Sequence, residues 1–470
     1  MKTPHLTLLL LLLPLLLPAQ ESRPAGTLSL SLAEAQRYAV EHNAAMLNAS
    51  LEVQKAELSR WKTLASMLPQ VKAGFDYQNM CGYTMNFGSG SMGGGMGTMW
   101  PDTVLVNGIP VAITVPASTA QTETSESSGG IAMNPSGTLS LTVSVAVTGA
   151  QIVGAMLQKV AMDMTDISRQ QTEQTTRANV KNIYVSILAM EQTVGLLDSS
   201  LANLEQLAAT SQASVDVGAA EQVDADKLQV QVATLKSSIS SSRRSLQALR
   251  NSLLLQLGAD VNSDLELTTP LDEVLSVDAA TQLLAQGFDI TRNYNYRLLE
   301  QNEQVAKHNV TMAWMDFTPT VSAYYQYSAK TYFGKDEGFN MTPPNMVGAS
   351  ISVPVFSSGA RMAGVKSAKI DLQEAANSRK QAEDGLRVQY NQLSYDLASA
   401  LETYDIQSRN LAVTQRVFDN IATKYQYGRA SSLEVTNASS DIINAQSSYI
   451  QAVMSVVNAQ IQLENLLNNE

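Results

Sequence analysis

Residues that could carry covalent or metal chemistry are sparse in this chain of 470 residues. Its three histidines are His5, His42 and His308, and the last two lie on separate helical patterns. A catalytic nucleophile needs a base within hydrogen-bond reach, and a metal centre needs several closely spaced ligands. Neither arrangement is visible. We therefore predict a protein that is not an enzyme, uses no cofactor and has no metal site.

Sulfur-containing residues are concentrated in one glycine-rich segment. Soft sulfur ligands select Cu(I) or Ag(I), so a role in metal export is one interpretation of this segment. The interpretation that we favour is a surface loop of low complexity. The sulfur-containing residues are Met80, Cys81, Met85, Met92, Met96 and Met99. Because Cys81 is the only cysteine, a disulfide within the chain is impossible.

Charge and hydropathy restrict the class of partner and the location. The net charge of −12 argues against nucleic acid or an anionic membrane surface as the partner. Residues 1–20 combine a basic start, a short leucine-rich run and a small residue at Ala19, which predicts a cleaved signal peptide. A retained anchor is the alternative. Beyond these residues, no window is apolar for the roughly 18 residues that a membrane helix requires.

Two spacings show that the chain is built from two structural repeats. A shift of 210 residues relates Gly149 to Gly359 and also Gly218 to Gly428. In both places an alternating strand leads into the first glycine, and a long run without proline ends at the second. A shift of 250 residues relates the prolines that stop the preceding helices, Pro69 and Pro319. Spacing, rather than identity, therefore reveals the repeat.

The patterns predict the same order of elements in each repeat. The first repeat, 21–257, has helices within 31–67, strands at 70–79 and 138–148 around a long loop at 80–137, and helices at 149–217 and 219–257. Residues 258–290 form a polar connection that contains proline. The second repeat, 291–468, has a helix at 292–316, strands at 320–328 and 346–356, and helices at 359–427 and 429–468.

The strands decide between two architectures. Each is about the length of a tilted membrane strand, but four strands cannot close a barrel, and lipid does not tolerate open edges. Copies would therefore have to join, while helices about 100 Å long would extend into water as a helical tube. A soluble helical bundle capped by a small β-sandwich is the alternative. Aromatic residues near one end of the strands favour the barrel: Tyr324, Tyr325, Tyr327, Tyr332 and Phe333.

With this order and double spacing, the chain resembles the TolC-like outer membrane efflux proteins. The resemblance covers nearly all of the mature chain and rests on the junctions and turns named above. It implies an α+β membrane protein, in which a long α-helical coiled-coil barrel continues a trimeric 12-stranded transmembrane β-barrel, with four strands per chain. It also implies an outer-membrane location with the helices in the periplasm, and docking to a periplasmic adaptor and an inner-membrane pump. A secreted or surface-associated helical structural protein without a pore is the alternative function.

The resemblance also implies roles for residues near the two helical turns. Glu434 and Asn437 fall on the pore constriction, where Asn437 replaces a second charged ring. Asp224 and Tyr425 match a latch that closes the tip, but the latch arginine falls on Ala430, so Arg429 is the nearest candidate. An acidic ring in a narrow pore favours cations. For Glu434 the alternative is a helix-start acid that interacts with the helix dipole.

Overall fold

The computed structural model describes residues 28–81, 84–86, 103–106, 109–112, 130–132, 134–218, 221–333 and 343–468. The predicted signal peptide at 1–20 lies outside the described residues. The chain divides into two compact units. The helical unit takes the described parts of Met1–Thr63, Ile152–Phe317 and Phe356–Glu470, and the strand unit takes those of Leu64–Gln151 and Thr318–Val355.

The described chain opens with a short strand and two helices. These are β1 (Leu28–Leu30), α1 (Leu32–His42) and α2 (Ala44–Ala65). Ser31 begins α1 with a capping box, in which Glu34 accepts from the Ser31 backbone N–H and Ser31 accepts from the Glu34 backbone N–H. Asn43 separates the helices because its backbone is extended there, and its side chain donates to the Gln256 carbonyl at 2.6 Å.

Two very long helices and their return helices make up most of the helical unit. In the first repeat, α3 (Gly149–Asp216) has 68 residues and α4 (Gln222–Leu257) has 36. In the second repeat, a 3-10 turn (Ile290–Arg292) and α7 (Tyr294–Met315) precede the equivalent pair. That pair is α8 (Ala360–Gln426) with 67 residues and α9 (Ser432–Leu467) with 36. At 1.5 Å per residue, α3 and α8 are each about 100 Å long.

Buried apolar side chains lie on the faces where these helices meet. Leu228, Leu235 and Ile239 of α4 are buried against Leu204 and Leu207 of α3. Leu228 and Leu235 are one heptad apart, which is the spacing of a coiled-coil seam. Tyr184 of α3 is also fully buried, and its hydroxyl donates to the Leu30 carbonyl at 3.0 Å while accepting from the Thr269 backbone N–H at 3.1 Å.

The connection at 258–290 contains more structure than the sequence indicates. β8 (Leu265–Leu267) pairs in parallel with β1 and is followed by α5 (Leu271–Val274) and α6 (Val277–Ala285). The pairing of β1 with β8 has no local signal in the sequence, because the two strands lie more than 200 residues apart. The largest buried cluster places α6 residues Ala280 and Leu283 against α8 and α9.

The strand unit contains a four-stranded antiparallel sheet with the order β10-β9-β7-β2. Its strands are β2 (Gln70–Gln78), β7 (Ser136–Val147), β9 (Thr320–Tyr332) and β10 (Asn345–Ser352). Val71 pairs with Val143, Val143 with Tyr325, and Tyr325 with Val347, so these four side chains form one row across the sheet. β2 and β10 each have one neighbour among the described residues and form the edges of the sheet.

One face of this sheet is apolar and exposed. Val71, Val347 and Ile351 are 65%, 79% and 69% exposed, and Phe75 is 64% exposed. The opposite face is polar, as Ser140, Ser322 and Ser328 illustrate. The alternation predicted from the sequence thus places the apolar set on the same side of all four strands.

Three of the predicted bounds are wrong. The strand predicted at 320–328 continues to Tyr332 because Ser136 of β7 still pairs with Tyr332. The strand predicted at 346–356 ends at Ser352, and Pro354 beyond it has no N–H to donate to a ladder. The loop predicted at 80–137 contains two short antiparallel ladders, and its last two residues belong to β7. The ladders pair β3 (Thr84–Asn86) with β6 (Gly130–Ala132), and β4 (Thr103–Val106) with β5 (Ile109–Ala112).

Within the described chain, no helix has the length and apolarity that a membrane crossing requires.

Candidate functional site

The two helical turns that the sequence singles out share a left-handed glycine. Gly218 has φ of +75° and Gly428 has φ of +70°, a conformation that glycine adopts without steric cost. At the second turn, the Gly428 N–H donates to the Tyr425 carbonyl and the Arg429 N–H to the Lys424 carbonyl, at 2.9 and 2.8 Å. This pair of bonds is a Schellman motif, which satisfies the last carbonyls of α8.

The starts of the two return helices differ. α9 begins with a complete capping box, in which Ser431 accepts from the Glu434 N–H and Glu434 accepts from the Ser431 N–H at 2.7 Å. The N-cap residue of α4 is Glu221, whose side chain makes no capping hydrogen bond. The start of α9 is therefore capped by its own side chains, whereas the start of α4 has no side-chain cap.

Glu434 is an acid at the start of a helix, which is the alternative to a pore ring given in the sequence analysis. The hydrogen bond from the Ser431 backbone, followed by that from its hydroxyl, holds the pKa of Glu434 below its ordinary value. The side chain is exposed and remains ionised at neutral pH. Its position in the capping box does not exclude a ring function, because a capping carboxylate at the surface still presents its charge to solvent.

Asp224 connects the two repeats, with partners other than those expected. Its Oδ1 accepts from the hydroxyl of Ser432 at 2.5 Å, and Lys227 lies 3.5 Å from the same atom. Ser432 is buried, at 4% exposure, whereas the Asp224 side chain is 37% exposed, so this hydrogen bond is partly buried. The tip residue of the first repeat is thereby attached to the first turn of α9 in the second.

The other two latch candidates do not contact Asp224. The ring of Tyr425 packs against the cluster that contains Leu228 and Val435. Arg429 is exposed, and within the described part of the chain it forms no ion pair. The structure thus joins Asp224 to Ser432 and packs Tyr425 against the cluster of Leu228 and Val435, and among the described residues it gives Arg429 no ion pair.

Asn437 lies one turn after Glu434 on the exposed side of α9. Asp441 continues this side, because positions 434, 437 and 441 are spaced i, i+3 and i+7. α9 contains no lysine or arginine, and its acids are Glu434, Asp441 and Glu464. The exposed side of α9 near the turn is therefore polar and carries only negative charge.

The strand–helix junctions match in position but differ in conformation. Pro69 and Pro319 directly precede β2 and β9. Gly359 precedes α8 with φ of +82°, whereas Gly149 is the first residue of α3 and has no positive φ. At the first junction Thr148 caps instead, accepting from the Gln151 N–H at 3.2 Å and donating its own N–H to the Gln151 side chain at 3.0 Å.

Metal and sulfur chemistry receives no structural support from the part of the chain that is described. Across those residues no group of three or more His, Cys, Asp or Glu side chains could hold a metal ion. Cys81 is exposed and free. The side chains of Met85, Met92, Met96 and Met99 lie outside the described residues, so the soft-metal interpretation of this segment remains a hypothesis.

Ser432 is the site residue that sequence reasoning missed. In Ser431-Ser432-Leu433-Glu434, the first serine and the glutamate identify a capping box, and the second serine resembles an ordinary first helical residue. Nothing local indicates that Ser432 is buried. Its hydrogen bond to a residue 208 positions away depends on how two distant helices pack.

The comparisons with known proteins agree with this architecture. Residues 291–469 match the family model for outer membrane efflux protein. The outer membrane efflux protein BepC of Brucella suis biovar 1 (strain 1330) is 20% identical over 295 residues, which are 62% of this chain and 63% of BepC. The alignment thus spans less than two thirds of that relative.

Solved structures match over nearly the whole chain. Crystal structures of CusC have a TM-score of 0.69 at 17% identity, and the match covers 95% of both chains. The outer membrane protein VceC of Vibrio cholerae has a TM-score of 0.66 at 13% identity, covering 93% of this chain and 95% of VceC. The open state of the MtrE outer membrane channel of Neisseria gonorrhoeae has a TM-score of 0.68 at 16% identity, covering 93% and 88%.

The second repeat therefore has the sequence signature of the outer membrane efflux protein family, and almost the whole chain has the TolC-like fold of its channels, as the resemblance predicted.

Proposed function

We propose that this chain is the outer-membrane exit duct of a tripartite efflux or type I secretion system. In this proposal three copies form a passive channel, which a periplasmic adaptor and an inner-membrane pump open at the helical tip. The four-stranded sheet carries the proposal, since it combines an exposed apolar face with two unpaired edges. In a protein surrounded by water, such a face and such edges would favour aggregation.

Membrane lipid and sister subunits would cover these surfaces. Neighbouring strands in the sheet are antiparallel, so the edge strands β2 and β10 run in opposite directions. β2 of one copy can therefore pair with β10 of the next and continue the antiparallel ladder without a break. Three copies supply twelve strands, the number that the resemblance implies, and closure leaves no edge exposed to lipid.

The helical hairpins would form the periplasmic part of the duct. Helices of about 100 Å are much longer than the roughly 30 Å apolar layer of a membrane. The turns at Gly218 and Gly428 would lie at the far end of these helices and form the gate. There Glu434 and Asp441 would give the pore a negative surface that favours cations.

Fractionation and conductance test this function together. We expect the protein in the outer-membrane fraction as a trimer whose mobility on denaturing gels changes on heating, and we expect discrete conductance steps in planar bilayers. A folded, monomeric protein in the periplasmic fraction would contradict the proposal and favour a structural protein without a pore. Deletion of the gene should also raise the cell's sensitivity to the compounds that the proposed partner pump exports.

A further inference from the structure

Basic and aromatic side chains are concentrated at the helix ends that join the strands. Four segments, here called the collar segments, cover residues 58–63, 152–162, 309–317 and 356–370. Each lies within seven residues of one of the four long strands. They contain six basic residues and one acid, Asp316, and the acids Glu57, Asp163 and Asp371 directly flank them, in a chain whose net charge is −12. The basic residues are Arg60, Lys62, Lys159, Arg361, Lys366 and Lys369.

Exposed aromatic rings accompany these cations. The guanidinium of Arg361 lies 5.9 Å from the centre of the Phe317 ring, and the ammonium of Lys369 lies 5.9 Å from that of the Trp314 ring. Trp314 and Phe317 also contact each other, with ring centres 5.6 Å apart. Trp314 is 43% exposed, so this cluster reaches the surface of the helical unit.

The same combination occurs on α2 and α8 as a mixed helix face. Leu58, Trp61 and Lys62 are spaced i, i+3 and i+4, and Leu58 and Trp61 are 68% and 61% exposed. Met362, Lys366 and Lys369 are spaced i, i+4 and i+7. Apolar, tryptophan and basic side chains on one exposed face are typical of a helix at the interface between lipid and water.

We infer that the collar segments bind anionic phospholipid headgroups at the periplasmic surface of the outer membrane. This inference rests on the proposed function, because it needs the adjoining strands to lie in a membrane. Lysine and arginine beside a bilayer attract anionic headgroups, and tryptophan prefers the headgroup layer. The partner is a phospholipid rather than an acidic protein because apolar side chains alternate with the cations. The overall negative charge conceals this local preference.

Lipid binding to purified trimers tests the inference. Native mass spectrometry would count phosphatidylglycerol and phosphatidylcholine retained from an equimolar mixture in detergent. The collar variant combines Arg60→Gln, Lys62→Gln, Lys366→Gln and Lys369→Gln. The matched control removes the same charge from helical positions outside the collar, by Arg244→Gln, Lys380→Gln, Arg416→Gln and Lys424→Gln.

We expect the wild type and the control to prefer phosphatidylglycerol, and the collar variant to bind it at least tenfold more weakly with phosphatidylcholine binding unchanged. Equal phosphatidylglycerol binding by the collar variant, or an equal loss in the control, would overturn the inference. Should the fourfold variant fail to assemble, the pair Lys366→Gln and Lys369→Gln is measured instead, with a threefold loss expected and wild-type binding as the contradicting result.

Quenching of tryptophan fluorescence tests whether the collar segments lie at the headgroups, and this test does not depend on charge. Lipids brominated near the headgroup should quench the wild type more than lipids brominated deep in the acyl chain. Trp61→Phe with Trp314→Phe should remove most of that difference, and an unchanged difference would contradict the inference. Conductance of the same preparations separates the two proposals. A conducting collar variant with wild-type lipid binding contradicts only the collar, whereas a wild type that never inserts contradicts the duct as well.

Discussion

Asp224 is the residue through which the tips of the two repeats are connected. Its hydrogen bond from Ser432 is short and partly buried, and the start of α4 has no side-chain cap that could hold it independently. Loss of Asp224 leaves the buried Ser432 hydroxyl without this acceptor, which costs about 1–3 kcal/mol, whereas loss of Ser432 leaves a partly exposed Asp224 that still faces Lys227. In the proposed duct, a contact of this strength would hold the resting tip.

Asp224→Ala and Ser432→Ala should each raise the resting conductance of single channels several-fold. The reason is that each removes the connection between α4 and α9. Asp226→Ala is the matched control, since Asp226 is also an acid in the first turns of α4 but bonds only to Gln222 of its own helix. Tyr425→Phe should give a smaller rise because its ring contacts remain. Planar-bilayer recordings that match the wild type for both Asp224→Ala and Ser432→Ala would argue against a latch.

Glu434 is a capping residue, and in the proposed duct it would also be a charge near the pore. Glu434→Gln removes the charge but keeps an acceptor for the Ser431 N–H, since glutamine also completes a capping box. If the carboxylate forms a pore ring, this variant should lower the ratio of cation to anion permeability at neutral pH with little change in melting temperature. Reversal potentials in a salt gradient measure the ratio, and an unchanged ratio would leave Glu434 as a helix cap only.

Ser431→Ala provides the complementary variant. It removes the acceptor for the Glu434 N–H and should destabilise the start of α9 by about 1 kcal/mol. Because the capping bonds hold the pKa of Glu434 low, their stabilisation is present above the ordinary glutamate pKa and is lost as the pH falls through the lowered value. The wild-type tip should therefore loosen in acid more than the Ser431→Ala tip, as hydrogen exchange near residues 431–435 would report.

At the scale of elements, Arg379 joins α7 to α8. It donates to the carboxylate of Glu303 at 2.7 Å and to the hydroxyl of Tyr296 at 2.6 Å. Burial raises the pKa of Glu303, but the hydrogen bonds from Lys307 and Arg379 outweigh burial and leave that pKa below its usual range. The pair is only partly exposed, so it is more stabilising than a pair in open solvent.

Arg379→Gln should lower the stability of the folded chain by about 1.5–3 kcal/mol, the range for hydrogen bonds to charged groups. Since the pKa of Glu303 is lowered in the fold, its stabilisation is complete above about pH 4.3 and is lost as the pH falls further. The variant should therefore show a smaller fall in melting temperature between pH 5 and pH 3.5. Arg387→Gln is the control because Arg387 pairs only within α8. Parallel pH curves for the wild type and Arg379→Gln would contradict this account.

The elements that the sequence predicts are those with a strong local period. The alternating strands and the long runs without proline each extend over many residues, so a local pattern suffices. The parallel pairing of β1 with β8 and the Asp224–Ser432 hydrogen bond depend on segments more than 200 residues apart. Such contacts follow from packing, and one sequence carries no local trace of them. The net charge of −12 also conceals the basic collar segments, because it sums the charges of the whole chain.

At the scale of the whole molecule, the sheet has a face and two edges that the described residues of one chain leave uncovered. Val71 and Val347 stand on the edge strands and are among the more exposed apolar residues of the sheet. Isolated strands with such edges pair with whatever edge is available. Because β2 and β10 are antiparallel, the complementary edge is found on another copy of the same chain, and a rotation axis can repeat that pairing until the ring closes.

Cysteine cross-linking tests this closure directly. In a Cys81→Ser background, Ala73→Cys on β2 is combined in turn with a cysteine at each position from Met346 to Ile351 on β10. We expect one register, and alternate positions around it, to give oxidant-dependent dimers and trimers on denaturing gels, because neighbouring strands bring paired residues to about 5 Å. Ala73→Cys combined with Ala400→Cys on α8 is the control and should give none. Cross-linking at every position of β10, or at none, would contradict an ordered ladder between subunits. A single register would also fix the stagger between neighbouring chains, which together with the strand number determines the tilt of the strands and the width of the pore.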